Sequence, residues 1–306
     1  MTTPYSTLAD HDALGKREAP AALDDSLRAG YWTLEIRPRR SLLQIPIADI
    51  WRYRDLLFLL VHRDFVTFYK QTVFGPLWFF IQPLLTALMF TLVFGNIAGL
   101  STDRLPMIVF YLAGITCWGY FSECLNKTST VFVDNANLFG KVYFPRMITP
   151  LSIVVSNLMR LGIQFGLFLA VAAYYMAQGL VHPKPTALLL PVLVLLMAAI
   201  SLGIGLIFSS LTTKYRDLRF LLSFGVQLLM YVTPVIYPAS AIPSKYAWIV
   251  ALNPLTAIIE TFRHGWLGQG DFSLAGLVYS AVCSLGVLVA GTVIFNRVES
   301  TFIDTV

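Results

Sequence analysis

Residues 187–211 read ALLLPVLVLLMAAISLGIGLIFSSL, a run of 25 residues without a charged side chain. An α-helix crosses the roughly 30 Å hydrocarbon core of a bilayer with about 20 apolar residues. The stretch is long enough to do so, and a helix would satisfy its backbone polar groups internally. It therefore predicts a transmembrane span and indicates a membrane protein.

Five further apolar stretches lie on either side of this span. The six predicted spans are residues 77–95, 105–125, 147–176, 187–211, 218–237 and 274–295. The third is longer than a bilayer needs, so we expect it to tilt or to extend into the cytoplasm. The second ends near Glu123. The predicted fold class is an all-α membrane protein with six transmembrane helices.

The composition agrees with this assignment. Of 306 residues, 57% are hydrophobic and 13% are charged, whereas an average soluble domain is roughly 25% charged. The net charge of +5 does not indicate nucleic acid as a partner, because Lys and Arg lie between apolar stretches without a dense patch. Cys117, Cys124 and Cys283 match no zinc-binding spacing and imply no disulfide framework. We expect no metal or cofactor on this chain.

Lys and Arg residues predict the orientation, because cytoplasmic flanks of spans carry an excess of them. Ten precede the first span, three lie between the second and third, and three lie between or beside the fourth and fifth. The opposite side has only Arg104, Lys184, Lys245 and Arg263. With six spans, both termini are expected in the cytoplasm.

Three regions are predicted along the chain: a polar cytoplasmic tail over 1–41, an interface helix region over 42–76 and a transmembrane domain over 77–306. In the second region, residues 47–69 predict a helix. Its apolar residues, such as Trp51 and Phe58, fall near one face, which Arg54 interrupts. A helix lying at the cytoplasmic membrane interface explains this pattern. A soluble linker helix is the alternative.

Residues 238–273 are too many for a simple turn. They contain two short apolar pieces, 247–252 and 255–262, which are separated by Asn253-Pro254. Proline disfavours a helix at the residue before it, so a break is expected there. Two re-entrant half-helices between spans five and six, shielded by protein, would satisfy their backbones. A helix pair on the membrane surface is the alternative.

Three segments, in order, resemble the ABC-2 type permeases that export polysaccharides and polyol phosphates. They are Arg63-Asp64 with YKQTVFGPLW at 69–78 and Gln82-Pro83, then LFGKVYFPR at 138–146, then YRDLR at 215–219 with TPVIYP at 233–238 and LNPL at 252–255. The resemblance runs from about Leu42 to the C-terminus. It implies a bacterial cytoplasmic (inner) membrane protein that acts as a homodimer with two separate ABC ATPase subunits.

The sequence itself also indicates that ATP is not bound by this chain. No Gly-x-x-x-x-Gly-Lys-Ser/Thr loop occurs to hold phosphates, and Gly140-Lys141 lacks both the upstream glycine and the following hydroxyl. ATP and Mg²⁺ are therefore expected on the partner subunit. The chain itself is predicted to be a permease and not an enzyme.

The resemblance implies that the first and fifth spans line the pathway, where aromatic rings stack on sugars and amides hydrogen-bond them. The predicted pathway residues are Trp78, Phe79, Phe80, Gln82 and Phe90 in the first span, Arg160 and Gln164 in the third, and Phe224, Gln227 and Tyr231 in the fifth. Interfacial aromatic belts and ordinary helix packing are the alternatives for the aromatic residues. Arg160 contacts the sugar chain or its phosphate linker, or else it pairs with Glu260.

Two further sites are predicted. The outer gate comprises Leu252, Asn253, Pro254, Leu255 and Ile258, whose apolar side chains would exclude water from a resting pore. The cytoplasmic loop 126–146 mixes polar and apolar residues, as a short amphipathic helix docking into a partner does. The predicted contacts with the ATPase are Phe132, Asp134, Asn135, Leu138 and Phe139.

The sequence therefore predicts the permease subunit of an exporter of lipid-linked polysaccharide, with O-antigen as the favoured type. Teichoic acid, cell-wall galactan and capsule exporters are the near alternatives. An ion-coupled secondary transporter is more remote, because no internal repeat or mid-span carboxylate is present. A membrane enzyme would have to use the outer cluster of Arg263, His264 and Asp271, which we interpret as a solvated or gating segment.

Overall fold

The computed structural model describes residues 47–70, 74–139 and 144–302. The predicted tail over 1–41 lies outside the described residues. In the part of the chain that is described there are twelve α-helices and no β-strand. They are α1 (Ile47–Arg52), α2 (Arg54–Tyr69), α3 (Trp78–Phe90), α4 (Met107–Ser129), α5 (Val131–Asp134), α6 (Ala136–Phe139), α7 (Ile148–Ala177), α8 (Leu190–Thr212), α9 (Leu218–Val232), α10 (Ala247–Leu252), α11 (Pro254–Leu267) and α12 (Leu274–Phe302).

The prediction of an all-helical membrane protein is confirmed. Five helical segments are long and apolar enough to cross a membrane: Trp78–Ile97, Met107–Ser129, Ile148–Ala177, Pro185–Thr212 and Leu274–Val298. The first combines α3 with a π-helical turn over Thr91–Ile97. Each overlaps a predicted span, and the ends differ by a few residues.

The fifth predicted span, 218–237, differs from the structure at its end. Helix α9 has 15 residues and stops at Val232, after which Thr233 is extended. Pro234 explains the stop, because a proline ring biases the preceding residue away from helical backbone angles. The prediction of a helix as far as Tyr237 was therefore wrong, although α9 is apolar.

Helix α4 lies at the centre of the bundle. In its most apolar window, 72% of the residues are buried, against 22–33% in the other four long segments. Helices α8 and α12 pack closely at Gly203 and Gly291, where a Cβ atom at Gly203 would lie 2.7 Å from the backbone of Val287. Small residues at such contacts let membrane helices approach each other.

The predicted interface helix is two helices that meet at Tyr53. Leu60 is buried against Phe144 and Ile148, so this side packs on the protein. Trp51 and Phe58 are 70% and 63% exposed. These two helices therefore carry a second apolar face. It contains Trp51 and Phe58, the residues that define the predicted apolar face, and it is turned away from the bundle.

Candidate functional site: polar clusters and exposed faces of the bundle

Arg160 on α7 joins three helices near one end of α4. Its Nη1 atom lies 2.5 Å from Glu123 Oε1 on α4, and its Nη2 donates to Gln82 Oε1 on α3 at 3.3 Å. The guanidinium also lies 5.7 Å from the centroid of the Phe79 ring. The side chains of Arg160 and Glu123 are 14% and 31% exposed, so the pair is sheltered but still accessible.

More charged groups surround this pair. Lys127 Nζ lies 3.5 Å from the second carboxylate oxygen of Glu123. One turn from Arg160, Ser156 donates to Asp64 of α2 at 3.4 Å, and Arg63 pairs with the same carboxylate. Two carboxylates and three cations therefore lie in this region, which we name the Arg160 cluster: Arg63, Asp64, Glu123, Lys127 and Arg160.

Arg160 forms an ion pair, as the alternative interpretation expected, but with Glu123 and not with Glu260. Glu260 pairs with Arg263 in the same helix, α11, at 3.3 Å. Gln164, which the sequence placed beside Arg160, is buried. Its Oε1 atom lies 3.3 Å from the position that a Cβ atom would take at Gly119. Gln164 therefore packs between α7 and α4 rather than on an open surface.

The predicted aromatic residues of α3 do not form one surface. Phe79 is buried, whereas Trp78 and Phe80 are 42% and 37% exposed. Phe90 contacts Tyr111 of α4, with ring centroids 6.0 Å apart, so it contributes to helix packing. Trp78 and Gln82, one helical turn apart, share an exposed face.

The predicted residues of α9 do share one face. Phe224, Gln227 and Tyr231 follow each other at spacings of three and four residues and are all exposed. The opposite side of α9 carries the buried residues Leu222 and Val226. An apolar cavity of about 450 Å³ between α7 and α8 is lined by none of the predicted pathway residues. The exposed face of α9 is thus a surface of the bundle and not part of that cavity.

A break between two helices is confirmed at Asn253. Its Oδ1 accepts a hydrogen bond from Leu255 N at 3.0 Å and so caps α11, with Pro254 as the first residue of that helix. Its Nδ2 donates to Thr233 Oγ1 at 2.7 Å, which ties this break to the break after α9. Leu255 and Ile258 are buried, whereas Leu252 is 57% exposed. The predicted gate residues therefore divide between the core and the surface.

The sequence analysis missed the role of Arg263. It counted this residue as an outer, solvated charge, but its side chain is 1% exposed. The guanidinium donates to the carbonyl oxygens of Pro234 and Val235 at 2.5 and 2.6 Å. The spacing of Glu260 and Arg263 inside an apolar helical stretch was the available signal, because charges three residues apart on a helix can pair.

His264 is held by its neighbours at the same end of α11. Its Nε2 lies 3.0 Å from Lys184 Nζ, and its Nδ1 lies 3.0 Å from Thr186 Oγ1. Burial lowers the pKa of His264 below its ordinary value, and the charge of Lys184 lowers it further. Both ring nitrogens therefore lie within hydrogen-bond distance of side chains of this chain.

Several of the predicted ATPase-contact residues pack the segment Val131–Phe139 against its own bundle. Phe132 of α5 is buried and stacks on Phe295 of α12, with ring centroids 4.7 Å apart. Phe139 is half-buried and packs against Phe132, and Leu138 is half-buried as well. Asp134 is exposed and accepts a hydrogen bond from Thr130 at 2.6 Å. Asn135 donates to the Val131 carbonyl.

This architecture is that of an all-helical membrane protein with several spans. Long helices surround a buried central helix, polar and aromatic side chains lie on exposed helix faces, and two helix breaks are linked near one end. The chain matches the ABC-2 type transporter family over residues 55–267 and belongs to that family.

Several curated proteins are similar over most of their length. The O-antigen export system permease protein RfbA of Klebsiella pneumoniae is 28% identical over 252 residues, which cover 82% of this chain and 94% of that protein. RfbA of Myxococcus xanthus is 28% identical over 262 residues, covering 85% and 98%. The polysialic acid transport protein KpsM of Escherichia coli is 23% identical over 256 residues, covering 82% and 95%.

Proposed function

We propose that this chain is the permease subunit of an ABC transporter that exports a lipid-linked polysaccharide of the O-antigen type across the bacterial cytoplasmic membrane. The observation that carries the proposal is the similarity to two O-antigen export permeases over 94% and 98% of their own lengths. ATP is hydrolysed with Mg²⁺ on a separate ATPase subunit. Both termini lie in the cytoplasm, as the distribution of Lys and Arg supports.

The pathway in this proposal lies between two copies of the chain, along the exposed faces of α3 and α9. Gln82 and Gln227 are exposed amides on otherwise apolar helices. An amide facing lipid lacks hydrogen-bond partners, so a polar pathway or a second protein surface is the better environment for Gln227, whereas Gln82 already accepts a hydrogen bond from Arg160. Phe224 and Tyr231 offer flat apolar surfaces beside Gln227, which suits the weakly apolar faces of sugar rings.

The Arg160 cluster supports binding of the anionic linker between glycan and lipid. Arg160 is held by two side chains, Glu123 and Gln82, and both can rotate away. A phosphate oxygen offers the guanidinium a charge-assisted hydrogen bond of comparable strength. The substrate can therefore replace Glu123 as the partner of Arg160 without leaving a buried charge unpaired.

The outer gate consists of α10 and α11 as re-entrant half-helices, and the ATPase binds at α5 and α6. Val133 and Asp134 are exposed on this loop, whereas the buried ring of Phe132 fixes the loop to the bundle. We therefore expect Asp134 to contact the ATPase directly and Phe132 to act by positioning α5.

Export of capsule polysaccharide is the second candidate. KpsM and the capsule polysaccharide export protein CtrC of Neisseria meningitidis are similar over 95% and 89% of their lengths, but at 23% and 22% identity. The higher identity of the O-antigen permeases favours the O-antigen type. Teichoic acid and cell-wall galactan exporters stay more distant alternatives.

The test is a deletion of the gene in its own host, complemented with the parent or with a variant. We expect the deletion to retain a lipid-linked glycan in the cytoplasmic leaflet and to lack it at the surface, as measured by mass spectrometry of extracted lipids. The parent gene restores export, and Leu195→Ala, which lies on an exposed face of α8, serves as the control variant. An unchanged surface glycan in the deletion strain would refute the proposal.

A further inference from the structure

Arg263 and Glu260 form a buried ion pair where several segments of the bundle meet. Their side chains are 1% and 4% exposed, and Arg263 Nη1 lies 3.3 Å from Glu260 Oε1. Each nitrogen at the end of the guanidinium also donates to a backbone carbonyl, Nη1 to Pro234 at 2.5 Å and Nη2 to Val235 at 2.6 Å. The partners of Arg263 thus include fixed backbone atoms as well as a side chain.

These hydrogen bonds satisfy the chain where α9 ends. A helix leaves its last carbonyl groups without intrahelical partners, and a buried carbonyl without a partner is costly. Tyr237 Oη donates to the carbonyls of Tyr231 and Val232 at 2.9 and 3.2 Å. The Thr233 carbonyl accepts from Val235 N at 2.6 Å, and Arg263 serves the two carbonyls that follow, those of Pro234 and Val235. The break after α9 is therefore stabilised by hydrogen bonds from protein groups.

Glu260 and Arg263 also connect this break to other parts of the fold. Glu260 accepts hydrogen bonds from the backbone N–H groups of Ala239 at 3.3 Å and Asp271 at 3.2 Å. The Arg263 guanidinium lies 3.8 Å from the ring centroid of Phe110 on α4. At Gly114 of α4, a Cβ atom would lie 2.7 Å from the Val235 carbonyl oxygen, so glycine permits this close approach. Helix α11 is therefore fixed to α4, to the chain after α9 and to the loop before α12.

Helix α10 has a different environment. Trp248 and Leu252 are 62% and 57% exposed. The hydrogen bonds that reach α10 from other helices are donated by side chains: Tyr279 Oη donates to the Leu252 carbonyl at 2.9 Å, and Thr256 Oγ1 of α11 donates to the carbonyl of the buried Val250 at 2.7 Å. Asn253, which separates α10 from α11, is joined to Thr233 by a side-chain hydrogen bond that a rotation can break.

We infer that Arg263 and Glu260 are positioning residues that keep α11 fixed during transport, so that the outer end opens when α10, together with Asn253, moves away from Thr233. This inference rests on the proposed transport function. It divides the predicted gate: Leu255 and Ile258 belong to the static core, and Leu252 belongs to the moving part.

Two cysteine pairs test the inference in the complex of the permease with its ATPase, after Cys117, Cys124 and Cys283 are replaced by Ala. The first pair, Ala257→Cys with Gly276→Cys, joins α11 to α12. A Cβ atom at Gly276 would lie 3.2 Å from the Ala257 Cβ, close to the roughly 3.5–4.5 Å of a disulfide. The second pair, Thr233→Cys with Asn253→Cys, joins the two breaks at side chains that are in contact, since Asn253 Nδ2 lies 2.7 Å from Thr233 Oγ1.

Surface glycan is measured in the same variant after oxidation and after reduction. We expect the first pair to export equally well in both states, and the second to lose export on oxidation and regain it on reduction. Loss of export on oxidising the first pair, or full export with the second pair oxidised, would overturn the inference. If the parent gene itself does not restore export in the deletion strain, that result contradicts the proposed transport function and not the division between α10 and α11.

Hydrogen exchange of the parent permease in lipid nanodiscs tests the same division without any substitution. We expect the amides of Ala247–Leu252 to exchange faster than those of residues 255–267, because locally mobile segments exchange through low-energy openings. Equal protection of the two helices, or greater protection of α10, would contradict a fixed α11 and a moving α10.

Discussion

Two arginine–glutamate pairs lie near opposite ends of helix α4, and they differ in what holds them. On α4, Glu123 is a member of the first pair, and Phe110 lies against Arg263 of the second pair. At 1.5 Å per residue, Glu123 and Phe110 are about 20 Å apart along the helix. Arg160 is bound by side chains from other helices, whereas Arg263 is bound largely by backbone carbonyls. Side chains can exchange partners, and backbone carbonyls in a packed break cannot.

This difference indicates what each pair contributes. A buried charge is tolerated only when it is well paired, and both terminal nitrogens of Arg263 are bound, to Glu260 and to two backbone carbonyls. Arg160 is partly exposed and lies among further charges, so a ligand can reach it. We therefore interpret Arg263–Glu260 as a structural pair and Arg160–Glu123 as a pair whose partners change during transport.

The largest expected effect is that of Arg263→Met. It leaves Glu260 charged, buried and without its partner, and it leaves the carbonyls of Pro234 and Val235 without donors. Removal of one member of a buried pair costs roughly 3–5 kcal/mol. We expect a large loss of folded protein, measured as apparent unfolding temperature and monodisperse yield in detergent. Arg160→Met is the matched control and should cost on the order of 1 kcal/mol, because solvent screens that pair. Equal effects of the two variants would remove the distinction.

The next effect is the coupling within each pair, measured by double-mutant cycles. We expect Arg263→Met with Glu260→Met to be more stable than Arg263→Met alone, because no unpaired charge is left buried. The recovery should be incomplete, since the N–H groups of Ala239 and Asp271 lose their acceptor. Coupling energies of about 0.5–3 kcal/mol are typical of residues in contact, and we expect the upper part of that range here. The same cycle at Arg160 and Glu123 should give a smaller value. A larger coupling there would contradict the comparison.

A smaller change in stability, with a clear change in transport, is expected for Arg160→Lys. An ammonium group cannot offer the planar fork that reaches Glu123 and Gln82 together. We expect stability within about 1 kcal/mol of the parent and a several-fold lower export of glycan at equal protein levels. Surface glycan and the amount of folded permease are measured in the same cells. Full export by this variant would show that Arg160 does not contact the substrate.

The contrast between the two pairs also shows what sequence reasoning could reach. Long apolar stretches and the Asn253-Pro254 break depend on local composition, so the helices and the break between α10 and α11 were predictable. The common exposed face of Phe224, Gln227 and Tyr231 follows from helical spacing and was predictable as well. The burial of Arg263 was not, because it depends on carbonyls about 30 residues away that are brought there by the fold.

The same limit applies at the other predicted sites. Phe132 was expected at the contact with the ATPase because it is an apolar residue in a predicted cytoplasmic loop, but its position is decided by stacking on Phe295, far away in the sequence. The partner of Arg160 is Glu123 and not Glu260, because α7 lies beside α4 at that level. Periodicity identifies which side chains share a helix face, but it does not show which neighbouring helix meets that face.

The smallest expected effect concerns Lys127, the second partner of Glu123. Lys127 Nζ lies 3.5 Å from the carboxylate, and its side chain is 50% exposed. Exposed pairs of this kind contribute about 0.2–1 kcal/mol, so Lys127→Ala should leave stability nearly unchanged.

Lys127→Glu places a like charge beside Glu123 and should destabilise the protein slightly more. Because salt screens exposed charges, with a Debye length of about 30 Å at 0.01 M and 3 Å at 1 M, that excess should shrink as salt is added. Apparent unfolding temperatures of both variants at the two salt concentrations measure it. If the difference in unfolding temperature between Lys127→Ala and Lys127→Glu is independent of salt, the Arg160 cluster is shielded from water as Arg263 is. The two arginine–glutamate pairs would then not differ in accessibility.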